Sequence, residues 1–587
     1  MRVPKIWRLL PQDPTQAEFL CRELRLSPVL AQLLLNRNIT SAEGARLFLS
    51  SPLSSLHDPT LLPGIEKAAA LLHEAIRAKK AICVYGDYDV DGITGTTLLW
   101  RCLKLAGAEV DYYVPDRFEE GYGLNREALF KLKDRGFGVV VTVDCGIASV
   151  AEARVAKELG LQLIITDHHE MKEVLPDAAV LVHPRLPGSN YPFRQLCGAG
   201  VAFKLAWAVC QELSQARKVS PAFRQFLLES IALVALGTVA DVMPLQDENR
   251  VFVTHGLKSL QEGPTLGLKT LIEAAGLNEK KDLDAEHIGF TLAPRLNAAG
   301  RLGHARLAIE LLGTDVPHRA RELAHYLNEQ NTQRQTVERR IFGEAREQAE
   351  SLPNFASMPA LVLSSPTWHP GVIGIVASRL VDRYARPVLM IACKDDPGSG
   401  SGRSVEGFPL HEGLAACSQH LLTHGGHAMA AGFKIRPHAI DAFRADFCSC
   451  VAQRLSGRAR QHTLLIDVEA PLNSLTMGLM HGLQRLHPHG VGNRRPLFLA
   501  SNLQIVADPR KIGQGERHLS FRVKQENGPT FKAIGWGMAD RLEELQSGGG
   551  KCCLVFTPKI NEWQGYTNID LEIQDMQPGP VADIVSV

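Results

Sequence analysis

Apolar residues recur at helical spacing through "AEFLCRELRL" and "SPVLAQLLLNR", which predicts a helical lead-in over residues 1–60. The pattern then changes. Continuous apolar runs suited to buried strands, "AICVYG", "GVVVTVD" and "LQLIITD", alternate with helical segments such as "TGTTLLWRCLKLAG" and "SVAEARVAKELG". That alternation predicts an α/β fold, a parallel sheet with helices on both faces, over residues 61–275. Residues 276–352 read as a connector, because "HRARELAHYLNEQNTQRQTVERRIFGEAREQAE" is one long, charged helix with few apolar positions. A second α/β unit, 353–458, opens at "PALVLSS". Residues 459–587 turn β-rich, with "HTLLIDVEA", "LFLASNLQIVAD", "HLSFRVKQ", "TFKAIGW" and "KCCLVFTPKI" separated by Gly, Pro and Asn. Short strands punctuated this way predict an OB-like β-barrel, a fitting nucleic-acid module.

The 587 residues are enough for several cores, and 45% hydrophobic with 22% charged residues is ordinary for a globular protein. A net charge of +1 excludes a basic tail but not a local basic cleft. The 12 cysteines include no CxxC pair, which argues against a zinc ribbon or a thioredoxin-like site and for reduced thiols. No apolar run is long enough to suggest a signal peptide or a membrane span, so a cytoplasmic, soluble protein is expected. The absence of GxxxxGK[ST] disfavours an ATP-driven enzyme.

The acidic residues fall at one recurrent place. Asp87, Asp89 and Asp91 follow the first apolar run, Asp144 ends the second, and Asp167 ends the third just before His168 and His169; Asp241 follows the apolar "LVALGTVA". Ligands of open α/β sheets bind beyond the carboxyl ends of the strands, so these side chains can meet in one crevice. A single aspartate at a strand end is ordinarily a helix N-cap. Four such motifs aimed at one edge instead predict a cation site, and oxygen donors with one or two imidazoles suit two Mn²⁺ or Mg²⁺ ions. Such a pair clamps a phosphoryl group during displacement. Elsewhere, Arg295, Asn297, Arg301, His304 and Arg306 lie among small residues and suit tracking of a phosphate backbone. Arg403 in "SGRSVEGF" offers a bidentate fork beside a permissive Gly, and "PHGVGNRRP" adds Arg494 and Arg495 on a turn.

"GDYDVDG" (86–92), "VDCG" (143–146), "DHH" (167–169) and "GTVADVMPL" (237–245) resemble the four motifs of the DHH phosphoesterase superfamily, and "SGRS" (401–404) with "GGHAMAAG" (425–432) resembles its DHHA1 domain. With the connector and the terminal barrel, the resemblance extends over nearly the whole chain and is to the RecJ family of single-stranded-DNA exonucleases. It implies a hydrolase that degrades single-stranded DNA 5′ to 3′ and releases 5′-mononucleotides, in DNA repair and recombination. It implies that Asp89 and Asp91 each anchor one ion, that Asp144 bridges the two, and that His168, Asp167 and Asp241 complete the set. His169 stays open between a ligand, a support for the ligands and a contact to the scissile phosphate. Asp87 stays open between a ligand and a structural group. Ser401, Arg403 and Arg117 are implied as a pocket for the DNA 5′ end, with His427 also on substrate, while Asn297 and Arg301 are expected on substrate from the Arg-rich, small-residue segment that holds them. Small phosphatases of the superfamily carry a His where this chain has Tyr85. Single-stranded-DNA-binding protein and a helicase are the implied partners, and a monomer is expected. The competing readings are a hydrolase of small phosphoanhydrides or short oligonucleotides and a non-catalytic DNA-binding scaffold.

Overall fold

The apolar run "ICVYG" becomes a strand, Ile82–Gly86, buried at all five positions, and "VVVTV" becomes Val139–Val143, buried likewise. They are central in a five-stranded sheet whose order in space is 110–113, 82–86, 139–143, 162–166, 180–182, with every pairing parallel. From Ile82–Gly86 the chain crosses to one side to make Val110–Tyr113. It then returns to the other side for Val139–Val143. The first and third strands therefore send their exits in opposite directions and leave a crevice between them, the switch point at which α/β sheets bind ligands.

A computed structural model describes residues 5–116, 120–121, 123–301, 304–455, 462–563 and 565–586, without the side chains of 301, 563 and 586. The chain divides into two units: residues 9–328 with 466–587, and residues 1–8 with 329–465.

In the first unit the sheet is sandwiched by helices, Val90–Leu105, Gly198–Ser214 and Pro221–Ala240 contributing to the core on one face and Arg126–Asp134 and Val150–Glu158 to the core on the other. Pro221–Ala240 has the length and apolarity of a membrane span, but most of it is buried against neighbouring helices, which accounts for apolar residues on every side. The C-terminal strands Phe498–Ile512, His518–Lys524, Thr530–Gly535, Lys551–Trp563 and Tyr566–Pro578 pair in a cycle, closed by 498–504 against 551–556. The N-terminal helices Pro14–Leu24, Pro28–Leu35 and Ala42–Ser50 pack their apolar stripes into that same β core. The lead-in begins differently from expectation, with a strand at Lys5–Leu9.

The second unit holds a mixed sheet ordered 421–426, 430–435, 398–403, 388–392, 361–365, with helices Pro370–Tyr384, Leu410–Ala416 and Ile440–Arg454. "GSGSGR" forms the strand Gly398–Arg403 although glycine is poor in strands. Its glycines make room: a Cβ at Gly400 would overlap the Phe433 ring, and one at Gly402 would overlap Leu389. The expected long helix is Pro317–Glu350. It buries Ala320, Leu323, Ala324 and Leu327 in the first core and Ile341, Ala345 and Ala349 in the second.

Candidate metal centre

Each carboxylate is delivered by a strand end or a helix end. Asp89 caps the Val90–Leu105 helix, its carboxylate accepting from the N–H groups of Asp91 (3.0 Å) and Gly92 (3.1 Å). Asp91, one position into the helix, is buried and is held by a second helix start: Gly198 N–H donates to Oδ2 at 2.5 Å and Ala199 N–H to Oδ1 at 2.8 Å. Asp144 leaves Val139–Val143 with φ +64°, a left-handed conformation that Asp tolerates better than most residues. The helices come close enough to exclude side chains at two glycines. A Cβ at Gly198 would sit 2.5 Å from Asp144 Cβ, and one at Gly237 would sit 2.5 Å from Asp91 Oδ1.

His168 is the hub. Its Nε2, buried and without a hydrogen bond of good geometry, lies 3.0 Å from Asp144 Oδ1, 3.5 Å from Asp241 Oδ2 and 3.7 Å from Asp91 Oδ2. Ligand atoms group within 4.8 Å as Asp144, His168 and His169; as Asp91, His168 and Asp241; and as Asp87, Asp89 and Asp144. Asp144 and His168 each belong to two of these groups. Asp167, expected among the ligands, joins none of them. Its Oδ1 accepts from His168 N–H (2.7 Å), His169 N–H (3.1 Å) and His169 Nδ1 (2.8 Å), and its Oδ2 accepts from Ile147 N–H (2.9 Å).

Electrostatics test whether cations fit. Burial, then the charges of Asp91, Asp89, Asp87 and Asp241, holds the Asp144 carboxyl well above the carboxylate range. Burial and Asp89 also raise Asp91, against the pull of His168. Burial with Asp91 and Asp89 pushes Asp241 up to about 8. Burial pushes His168 down to about 4, so the imidazole is neutral and its lone pair is available. Crowded carboxylates around a neutral imidazole are a ligand set in want of positive charge, and the oxygen majority fits hard divalent ions. The Asp167–His169 pair behaves oppositely. Burial opposes both charges, but their mutual hydrogen bond lowers Asp167 to about 2 and raises His169 to about 9.

The remaining expected residues fall in several places. Asn297 Oδ1 accepts from Val90 N–H at 3.2 Å, so it supports the Asp89–Asp91 turn. Arg117 and the side chain of Arg301 lie outside the described residues. Ser401 and Arg403 share one face of their strand, under Gly374 of the Pro370–Tyr384 helix. The Arg403 guanidinium donates to Ser401 Oγ (3.4 Å) and Gly402 O (2.7 Å). His427 is exposed between the strands Leu421–Gly426 and Ala430–Ile435. Tyr85 is buried, donating to Gly123 O at 3.0 Å and stacking on Tyr113, which leaves it outside the cluster. The residues that sequence reasoning missed are Gly198 and Ala199, which act through backbone and lack of bulk and so carry no titratable signature; Gly237 stood inside the fourth motif, with no role assigned to it.

The DHH family N-terminal domain matches residues 81–238, the DHHA1 domain 357–453 and the RecJ OB domain 466–575. The chain is 38% identical over 574 residues to the single-stranded-DNA-specific exonuclease RecJ of Bacillus subtilis, covering 97% of this chain and 70% of that protein. It is 34% identical to RecJ of Haemophilus influenzae, covering 94% and 96%. A crystal structure of RecJ from Thermus thermophilus in complex with Mn²⁺ superposes with a TM-score of 0.84 at 32% identity, covering 100% of this chain and 81% of that one.

Proposed function

Because this chain belongs to the RecJ family of single-stranded-DNA-specific exonucleases, we propose that it hydrolyses single-stranded DNA from the 5′ end and releases 5′-mononucleotides. The observation that carries this reading is the convergence of five aspartates and two histidines at the switch point of a parallel sheet. In the same reading the protein is a monomer acting in DNA repair and recombination beside a single-stranded-DNA-binding protein and a helicase.

Asp89, Asp91, Asp144, His168 and Asp241 would hold Mn²⁺ or Mg²⁺, with Asp87 adjoining Asp89 and Asp144. When bound, such ions polarise a phosphodiester and make water a better nucleophile at neutral pH. Asp144, which adjoins both ends of the cluster, is the side chain whose loss separates them. Asp167 orients: with its four N–H donors it fixes the His168–His169 backbone and the His169 ring. His169 keeps its proton near neutrality, and with Nδ1 tied to Asp167 its Nε2 is the atom that can donate to a phosphate oxygen. Ser401 and Arg403 supply a hydroxyl and a guanidinium for a terminal phosphate.

The test is product analysis on 5′-labelled single-stranded DNA with and without divalent metal, beside a matched duplex and a 3′-labelled strand. Immediate release of labelled mononucleotide from the single strand, only with metal, is expected. Asp144→Ala should abolish turnover while retaining DNA binding. Metal-independent cleavage, or release first from the 3′ label, would overturn the reading.

A further inference from the structure

Asp241 stands apart from the other members of the cluster. It comes from no strand of the parallel sheet but from the loop 241–246, between the helices Pro221–Ala240 and Asp247–Glu262. That loop is strained: Val242, a β-branched residue, has φ +59° and is 64% exposed, so burial of its side chain does not account for this left-handed conformation. Conformations of this kind cost about 1–3 kcal/mol and persist where surrounding structure over-determines them.

The surrounding structure is the turn Pro488–Asn493, which belongs to the C-terminal β-rich part of the chain. Leu245 N–H donates to Val491 O at 2.7 Å, and Gln246 Nε2 reaches Gly492 O at 3.4 Å. Two glycines permit the approach. A Cβ at Gly490 would lie 2.7 Å from Cδ1 of Leu245, which is buried. Gly492 has φ +72°, and its Cβ would lie 3.3 Å from Pro244 Cβ.

The turn is itself fixed. Gly490 and Asn493 exchange backbone hydrogen bonds at 3.0 and 3.1 Å. The fully buried Asn493 donates from Nδ2 to Leu486 O and Pro488 O, both at 2.7 Å, and accepts from Arg37 Nε at 2.7 Å. From the other side Arg250, in the helix after the loop, donates to Arg485 O (3.1 Å), Leu486 O (3.1 Å) and His487 O (2.7 Å). The loop is thus held to the turn directly at Leu245 and Gln246, and its following helix is held at Arg250.

We propose that the Pro488–Asn493 turn is a positioning element for Asp241, so that the C-terminal β-rich part sets how tightly the Asp91–His168–Asp241 end of the cluster holds its cation. Gly490 and Asn493 are positioning residues. They act through Leu245 and the strained loop and touch no reacting group. The inference rests on the cation reading of the cluster.

The test is a Mn²⁺ titration of the full-length protein, followed by electron paramagnetic resonance of the free ion. The unmodified protein is expected to bind two ions. Gly490→Ala is expected to weaken one by about tenfold or more, the usual scale for removing support behind a ligand, and to spare the other. At excess Mn²⁺ its kcat should recover, with KM for single-stranded DNA unchanged. Adding Leu245→Ala, which removes the atoms a Cβ at Gly490 would meet, should restore the affinity. Two ions bound by the unmodified protein and equally well by Gly490→Ala would overturn the inference. Failure of the unmodified protein to bind Mn²⁺ would instead overturn the cation reading itself. Hydrogen exchange on the unmodified protein gives a check independent of any variant's folding: the Leu245 amide should be strongly protected, and rapid exchange there refutes the inference.

Discussion

At the scale of residues, ionisable groups here divide into those that a cation would relieve and those already satisfied. Asp144 and Asp241 are of the first kind, and Asp167 with its four N–H donors is of the second. The sequence marks all three as aspartates after apolar runs and does not separate them, because hydrogen-bond partners such as Ile147 N–H come from elsewhere in the chain. His489 makes a different point. Burial, then the charges of His487, Arg37 and Arg495, pushes its imidazole down to about 2, so the folded protein keeps it neutral. The unfolded chain takes up that proton first as pH falls below the ordinary value. Stability that is fully present above about pH 6.5 is therefore lost progressively toward pH 2, by no more than about 2 kcal/mol between pH 7 and 5. Urea unfolding at the two pH values should show a smaller loss in His489→Gln than in the unmodified protein, and an equal loss would refute the assignment.

At the scale of elements, the start of the Val90–Leu105 helix combines capping with chemistry. Three of its free N–H groups are satisfied, two by Asp89 and one by Asn297. Asn297 belongs to the helix Ala293–Arg301, and its neighbour in that helix, Gly300, packs so closely on Tyr88 that a Cβ would meet the Tyr88 carbonyl oxygen. Asn297→Ala should therefore cost about 1 kcal/mol of stability in urea unfolding, the scale of a lost cap. Unchanged stability with a raised KM for DNA would return Asn297 to the substrate role expected from its Arg-rich segment. Elements were legible where period and composition agreed, as in Ile82–Gly86 and Pro317–Glu350. Gly398–Arg403 was not legible as a strand, because its glycines answer to Phe433 and Leu389 across the sheet rather than to local preference.

At the scale of the whole molecule, every carboxylate and imidazole of the centre lies in the unit formed by residues 9–328 and 466–587. A cation that binds the folded form stabilises the structure that builds its site, by about 2.7 kcal/mol at a hundredfold excess over Kd. Mn²⁺ should accordingly slow hydrogen exchange in Val139–Val143 and Pro221–Ala240 and leave Leu361–Ser365 and Val388–Ala392 unchanged. Uniform protection across both units would contradict a centre confined to one.

The sequence by itself determined the alternation of strands and helices, the long connecting helix, and the aspartates and histidines that converge, because apolar periodicity and motif spacing are local properties of the chain. Only the tertiary structure decided that the N-terminal helices share a core with the C-terminal strands, that Ile147 N–H donates to Asp167, and that the turn at Gly490–Asn493 packs against Leu245 in the loop that carries Asp241. These depend on pairings between residues tens to hundreds of positions apart, and the packing that brings such residues together leaves no period in the sequence to read.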